Sequence, residues 1–258
     1  MPELSPRELQ HYRSGGYFFP VPVLSPVEVV AVLRSIDEFA TSLKRLPSTH
    51  FYFRWAFELA AHPNLLDTVE SILGPDILVW GTLILSKPAA SRAIVSWHQD
   101  SAYTAFLNGS PALSAWLALT PATPRSGCMR VIPASHGSRL PFSTVQHPDD
   151  MTIRGIEVIA DIDPESAVDL ELQPGEASLH DISLIHGSNA NQSAVPRTGF
   201  IIRYATPAMR QPQYPVYCVR GNPGNIVCAQ APDDEGASRL AAYAEYLAAE
   251  AISSADPK

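Results

Sequence analysis

The stretch AIVSWHQDSAYTAF, residues 93–106, sets His98 and Asp100 two positions apart, directly after a β-branched and aromatic run. Residues two apart on a strand share a face, so an imidazole and a carboxylate would point the same way. Such a pair is either polar decoration of a wet surface or two arms of a metal site. The spacing alone is a weak signal, because the chain holds a second copy at His147-Pro-Asp149. Proline cannot donate to a ladder, so that copy reads as a turn with a solvated histidine. The copy at His98 reads as a strand end, where ligands are held more rigidly than on a loop.

A metal site needs a third arm. SLHDISLIHGS offers His180 and His186, both in apolar, strand-like surroundings where a histidine is more often part of the core than a ligand. Arg197 follows at the mouth of the next apparent strand. Its planar fork matches a carboxylate bidentately, which is what a site needs to clamp a dicarboxylate.

The elements that must hold these residues fall into two textures. Ser5-Pro-Arg-Glu8 and Ser25-Pro-Val-Glu28 are capping boxes with proline at the first helical position. The second opens a helix whose apolar residues recur at helical spacing to about Leu43, and a third helix runs from Pro63 to Leu73 with Gly74 as its stop. From Ile77 to Pro207 the chain changes to short strands punctuated by Gly, Pro, Asn and Ser, which predicts an α+β, mainly β, sandwich or jelly roll. Leu140–Glu165 is a polar, Pro- and Asp-rich insertion, either a lid or a surface excursion. A C-terminal helix is expected from Asp234 to about Ser253.

With 258 residues, 46% of them hydrophobic and 17% charged, the chain can bury a sizeable core. Its net charge of -8 argues against nucleic-acid or anionic-membrane partners. The start has no apolar signal-peptide region, and the most apolar run, Ile77–Leu85, is far short of the ~20 residues that span a bilayer. The protein is therefore expected to be cytoplasmic. Cys128, Cys218 and Cys228 show no CxxC spacing and read as free thiols.

The run from Trp97 to Tyr204 resembles the phytanoyl-CoA dioxygenase family of iron(II)- and 2-oxoglutarate-dependent oxygenases. WHQD, SAWLALTPATPRSGCMRVIPASHGS, LQPGEASLHD and LIHGSNANQS with the later Arg carry the resemblance, and HFYFRWAFELAAHPNLLDTVESILGPDILVWGTLILSK resembles the family's N-terminal portion. It implies one domain over 1–258: a helical part to about 75, a double-stranded β-helix (jelly roll) over about 76–210, and a C-terminal extension over 211–258. It implies His98, Asp100 and His186 as ligands of Fe(II), with 2-oxoglutarate and O2 as cosubstrates. Two imidazoles and one carboxylate form the facial triad that leaves positions open for both. The resemblance assigns Arg197 to the distal carboxylate of 2-oxoglutarate, with Ser188 beside it. Gln99, Trp116 and Trp80 match cofactor-pocket positions, with plain barrel filling as the competing role for the two tryptophans. A lysine that some members place on the cosubstrate has no counterpart around THFYFRW.

Tyr103, Tyr52 and Arg54 are candidate substrate contacts. His180 is expected to be structural, and Arg203 to support the cosubstrate pocket or pair with an acid. Halogenases of this kind carry Ala or Gly where Asp100 stands, so hydroxylation or another halide-free C–H oxidation is expected, on a small metabolite or natural-product intermediate. The competing readings are a non-redox cupin-like metalloenzyme and a non-catalytic binding module.

Overall fold

The computed structural model describes residues 3–37, 45–144, 147–152, 155–233 and 240–247. The N-terminal part holds α1 (Pro6–Gly15), α2 (Pro26–Asp37), α3 (Arg54–Ala60) and α4 (Pro63–Leu73), and the first two carry the capping boxes that the sequence dictates. At α1 the Ser5 hydroxyl accepts from the Glu8 N–H at 3.4 Å while the Glu8 carboxylate accepts from the Ser5 N–H at 2.8 Å. Ser25 and Glu28 repeat the exchange at α2. Residues 38–43, where that helix was expected to continue, lie outside the described residues.

Thirteen strands follow in chain order among the described residues: β1 (Tyr17–Pro22), β2 (Arg45–Pro47), β3 (Ile77–Lys87), β4 (Val95–His98), β5 (Ala112–Ala118), β6 (Met129–Val131), β7 (Phe142–Thr144), β8 (Ile156–Val158), β9 (Val168–Leu170), β10 (Glu176–Asp181), β11 (His186–Ser188), β12 (Arg197–Ala205) and β13 (Tyr217–Arg220). The major sheet runs β1-β10-β5-β12-β3-β13, with β2 also on β3, and the minor sheet runs β4-β11-β6-β9. All pairings in both are antiparallel. The two sheets face each other across a cleft lined from both sides, which makes the core a jelly roll.

The outer face of the major sheet packs on the helices. Leu113, Ala115 and Leu117 of β5 and Phe200, Ile202 and Tyr204 of β12 join Leu59, Leu65, Leu66 and Val69 in one apolar cluster. Each large side chain buried there contributes roughly 1.5–3 kcal/mol. Tyr204 is fully buried, and its hydroxyl donates to the Ala60 carbonyl at 2.7 Å, which fastens β12 to α3.

The part expected to be helical up to residue 75 also carries β1 and β2. Two prolines hide β1 from a strand reading. Pro20 falls in the bulge between Phe18 and Val21, where no ladder bond is asked of it, and β1 is an edge strand. The C-terminal extension supplies β13 to the major sheet. Within the expected C-terminal helix, residues 240–247 are helical, and Tyr243 is buried with its hydroxyl donating to the Pro47 carbonyl at 2.8 Å.

The insertion forms a β7–β8 hairpin and docks on the minor sheet. The Met151 N–H donates to the Ile94 carbonyl at 2.9 Å, and Asp150 Oδ1 accepts from the Ser96 N–H at 3.2 Å. His147 is exposed at a turn, and Asp149 faces Arg92 at 3.3 Å. No helix among the described residues is long and apolar enough to cross a membrane. The three cysteines are free thiols.

Candidate metal and cosubstrate site

Every second residue of β12 faces the cleft, in the order Arg197, Gly199, Ile201 and Arg203. Cross-strand register extends each into a row: Lys87 beside Arg197, Leu85 and Ala118 beside Gly199, Leu83 and Trp116 beside Ile201, and Gly81 and Ser114 beside Arg203. Paired residues in an antiparallel sheet leave on the same face. The cleft therefore has a cation at each end of its floor and apolar rows between.

The minor sheet brings the metal-type ligands to the Arg203 end. His98 closes β4 and His186 opens β11, and the two are cross-strand partners with ring centroids 4.1 Å apart. Nδ1 of His98 lies 2.9 Å from the Ser96 carbonyl and Nδ1 of His186 lies 3.0 Å from the Leu184 carbonyl. A carbonyl only accepts, so Nδ1 carries a proton in both rings and Nε2 is the nitrogen left for a metal. Asp100 enters on the short helical turn after β4. One ligand atom from each of His98, Asp100 and His186 lies within 4.8 Å of the others, and all three residues are buried. Burial alone would lift the Asp100 carboxyl. The Arg203 guanidinium and the neighbouring imidazoles overrule it and hold the group well below the usual carboxylate range. Burial, then His98, pushes His186 well below the usual histidine range. Two imidazoles and one carboxylate fit a divalent first-row metal.

The far end of the cleft is built for an anion. Arg197 is 2% exposed; its Nη2 donates to the Gly127 carbonyl at 2.8 Å and lies 3.4 Å from Ser188 Oγ. Its Nε has no partner among the described residues, and its guanidinium lies 5.1 Å from the Trp116 ring. Burial brings its pKa down to about 10, so it stays charged at neutral pH. Lys87, fully buried, places Nζ 2.7 Å from Ser188 Oγ and 3.2 Å from the Ser188 carbonyl, and also donates to the Asn189 carbonyl. The Arg197 guanidinium and the Lys87 amine thus converge on one hydroxyl, and no ion pair within 4 Å joins either to an acid among the described residues. With Ser188 Oγ accepting from Lys87, its own proton is available to an incoming oxyanion.

Gly199 is required between the two ends. A Cβ there would fall inside the Trp116 indole. Gly199→Ala is expected to push the indole off Arg197 and to cost about 1–3 kcal/mol as overpacking, measured by urea unfolding.

Among the residues singled out by sequence, the structure brings His98, Asp100, His186, Arg197, Ser188 and Trp116 to one cleft. It takes others elsewhere. Gln99 is consumed by backbone: Nε2 donates to the Ser138 carbonyl at 3.0 Å and to the Ser183 carbonyl, and Oε1 accepts from the Leu140 N–H at 2.8 Å. It anchors the root of the insertion and does not line the cleft. Trp80 packs with Phe106 and Leu107 and lies under Arg203, 5.6 Å from ring to guanidinium. Tyr52 stacks in the aromatic group of Tyr243 and Tyr246, and Arg54 pairs with Glu58 on the surface of α3 at 2.8 Å. The side chain of Tyr103 lies outside the described residues. His180 borders the cleft, 3.9 Å from Asp100, with its pKa brought down to about 4 by burial. His136 bonds the Arg13 carbonyl at 3.2 Å.

Lys87 is the residue that sequence reasoning missed. Its signal was present: in LILSK it continues the alternation of Leu83 and Leu85, so it had to face the interior with them.

Comparison with known proteins agrees with this geometry. Bovine peroxisomal phytanoyl-CoA dioxygenase is 31% identical over 142 residues, 53% of this chain and 42% of the relative. A probable alpha-ketoglutarate-dependent hypophosphite dioxygenase from Stutzerimonas stutzeri is 27% identical over 189 residues, 71% of this chain and 64% of the relative. The chain spans roughly half the length of the curated relatives it matches. Among solved structures, the apo form of ThoJ, a non-heme monooxygenase, superposes with a TM-score of 0.78 at 30% identity, covering 95% of this chain and 96% of ThoJ. The family model for phytanoyl-CoA dioxygenase (PhyH) matches residues 49–199, which take in β3, the triad and Arg197. A jelly roll with its two histidines, its aspartate and its buried arginine inside that match is the family's own frame, and the chain belongs to the phytanoyl-CoA dioxygenase (PhyH) family.

Proposed function

We propose that this chain is an Fe(II)- and 2-oxoglutarate-dependent dioxygenase that oxidises a C–H bond of a small metabolite or natural-product intermediate. One observation carries the reading: a His-Asp-His triad and the buried Arg197 guanidinium stand at two ends of one cleft. His98, Asp100 and His186 would hold the metal. Arg197, with Lys87 and Ser188 beside it, would hold the distal carboxylate of 2-oxoglutarate, the cosubstrate for which the Stutzerimonas relative is also named. Trp116, Leu85 and Ile201 would wall its chain against water. Bound iron would supply the activation of O2, with 2-oxoglutarate, O2 and R–H giving succinate, CO2 and R–OH. The Asp100 carboxylate stands where a halide would need to sit, which supports hydroxylation over halogenation.

The non-redox cupin-like reading has a use for the triad but none for a buried arginine that lines the same cleft with no acid partner among the described residues. The test is to add Fe(II) and then 2-oxoglutarate without oxygen and record the visible spectrum of wild type, His98→Ala and Arg197→Ala. A charge-transfer band, lost in His98→Ala and weakened in Arg197→Ala, is expected, followed by succinate release on admitting air. No band in wild type, with a different metal tightly held, would overturn the reading.

A further inference from the structure

One row of the cleft floor converges on a single carboxylate. His180 on β10, Ser114 on β5 and Arg203 on β12 are in direct cross-strand register, so three adjacent strands send side chains off the same face. All three are buried, and all meet Asp100, which arrives from the opposite sheet. Ser114 Oγ donates to Oδ2 at 2.5 Å, Arg203 Nη2 lies 3.4 Å from Oδ1, and His180 Nε2 stands 3.9 Å from Oδ2. Trp80 backs the guanidinium from the next strand, at 5.6 Å. Orientation of a carboxylate asks for one donor. Here a hydroxyl and a full positive charge press on one metal-type ligand, in a setting where charge is poorly screened.

We propose that Arg203 and Ser114 are positioning residues that act through Asp100 and hold a bound iron in its divalent state. The inference rests on the iron reading given above. A donor on a carboxylate withdraws electron density and makes it a weaker ligand for the trivalent ion. A nearby guanidinium repels a third positive charge on the metal more than it repels two. Both effects raise the potential of the Fe(III)/Fe(II) couple, and partners behind a metal ligand are a recognised lever on that potential. The practical consequence is resistance to idle oxidation, in which iron(II) gives one electron to dissolved O2 and leaves iron(III) and superoxide.

The test uses the full chain loaded with iron(II) without oxygen, as wild type, Arg203→Lys, Arg203→Met and Ser114→Ala. The Fe(III)/Fe(II) potential is read by spectroelectrochemistry. The growth of the high-spin iron(III) resonance in air, without 2-oxoglutarate, is read by electron paramagnetic resonance. Arg203→Met and Ser114→Ala are expected to lower the potential, by about 59 mV for each tenfold shift of the iron(III)/iron(II) equilibrium, Arg203→Lys to stay near wild type, and the iron(III) signal to grow faster in Arg203→Met than in wild type. Equal potentials in wild type and Arg203→Met would overturn the inference. An equal fall in Arg203→Lys and Arg203→Met would assign Arg203 to packing over Trp80 and overturn the charge argument. If Arg203→Met does not fold, Ser114→Ala decides, since it removes one hydroxyl: an unchanged potential overturns the inference. A wild type that takes up no iron overturns the proposed function along with it, whereas iron held at an insensitive potential overturns this inference alone.

Discussion

Arg197→Met is expected to melt above wild type in the absence of ligands and to bind 2-oxoglutarate at least ~30-fold more weakly. The two effects have one cause. A buried cation costs several kcal/mol unless it is paired. Arg197 has a carbonyl, a distant hydroxyl and an indole face, but no acid, among the described residues. Burial brings its pKa from 12.5 to about 10. Since the folded state binds the proton less tightly than the unfolded one, the charged form is penalised at every pH below about 10, by on the order of 3 kcal/mol at neutrality. Methionine removes that penalty but leaves the Gly127 carbonyl without its donor, which costs about 1–3 kcal/mol. The net gain is small, about 1 kcal/mol, or a rise of about 2–4 °C in Tm.

The cosubstrate reverses the order. Truncating one partner of a buried, hydrogen-bonded charge pair costs about 2–5 kcal/mol, or ~30-fold to several thousandfold in Kd. Excess 2-oxoglutarate with iron(II), without oxygen, should therefore raise the wild-type Tm past that of the variant. Scanning calorimetry with and without ligand reads both halves. An unchanged Kd in Arg197→Met would remove Arg197 from the cosubstrate site.

What the sequence made legible was what local chemistry decides. The capping boxes at Ser5 and Ser25, the stop at Gly74 and the strand alternation around Trp116 act within a few residues, and each stands in the structure as read. The triad and Arg197 were legible because their motifs lie in order along the chain. Distant pairings were not. β1 carries Pro20 and Pro22 in its strand, and its edge place beside β10, 154 residues on, is what makes them tolerable. Gln99 shares the His98 motif, yet its amide is taken by Ser138, Leu140 and Ser183, which no spacing near it announces. Tyr52 is a candidate substrate contact by sequence, while its ring packs with Tyr243, far along the chain. The convergence of Ser114, Arg203 and His180 on Asp100 depends on register, which a single sequence does not reveal.

Binding of 2-oxoglutarate is expected to take up close to one proton, through Lys87. Burial, and then the Arg197 charge, bring the Lys87 pKa from 10.5 to about 6, against smaller opposing pulls from Cys128 and Asp150. Without ligand, at pH 7.5, the amine is then largely neutral. A carboxylate arriving beside Arg197 cancels the nearby charge and favours the ammonium, so the Lys87 pKa rises on binding. The sign follows. Affinity is greatest below about pH 6, where Lys87 is already charged. It falls as pH rises toward the bound-state pKa, with a limiting slope of about tenfold per pH unit, and levels off beyond it. Calorimetry in buffers of different ionisation enthalpy counts the protons directly. Loading the metal first keeps the histidine ligands from adding to the count, and the carboxyl groups of 2-oxoglutarate are ionised throughout this range. Lys87→Met should bind more weakly, with no uptake and a flat profile from pH 6 to 9. A competing force acts in the same place: Nζ meets three acceptors, the full donor number of an ammonium. If those bonds prevail over burial, wild type will bind 2-oxoglutarate without proton uptake, and Lys87 will be a fixed charge that orients Ser188 at every pH the protein tolerates.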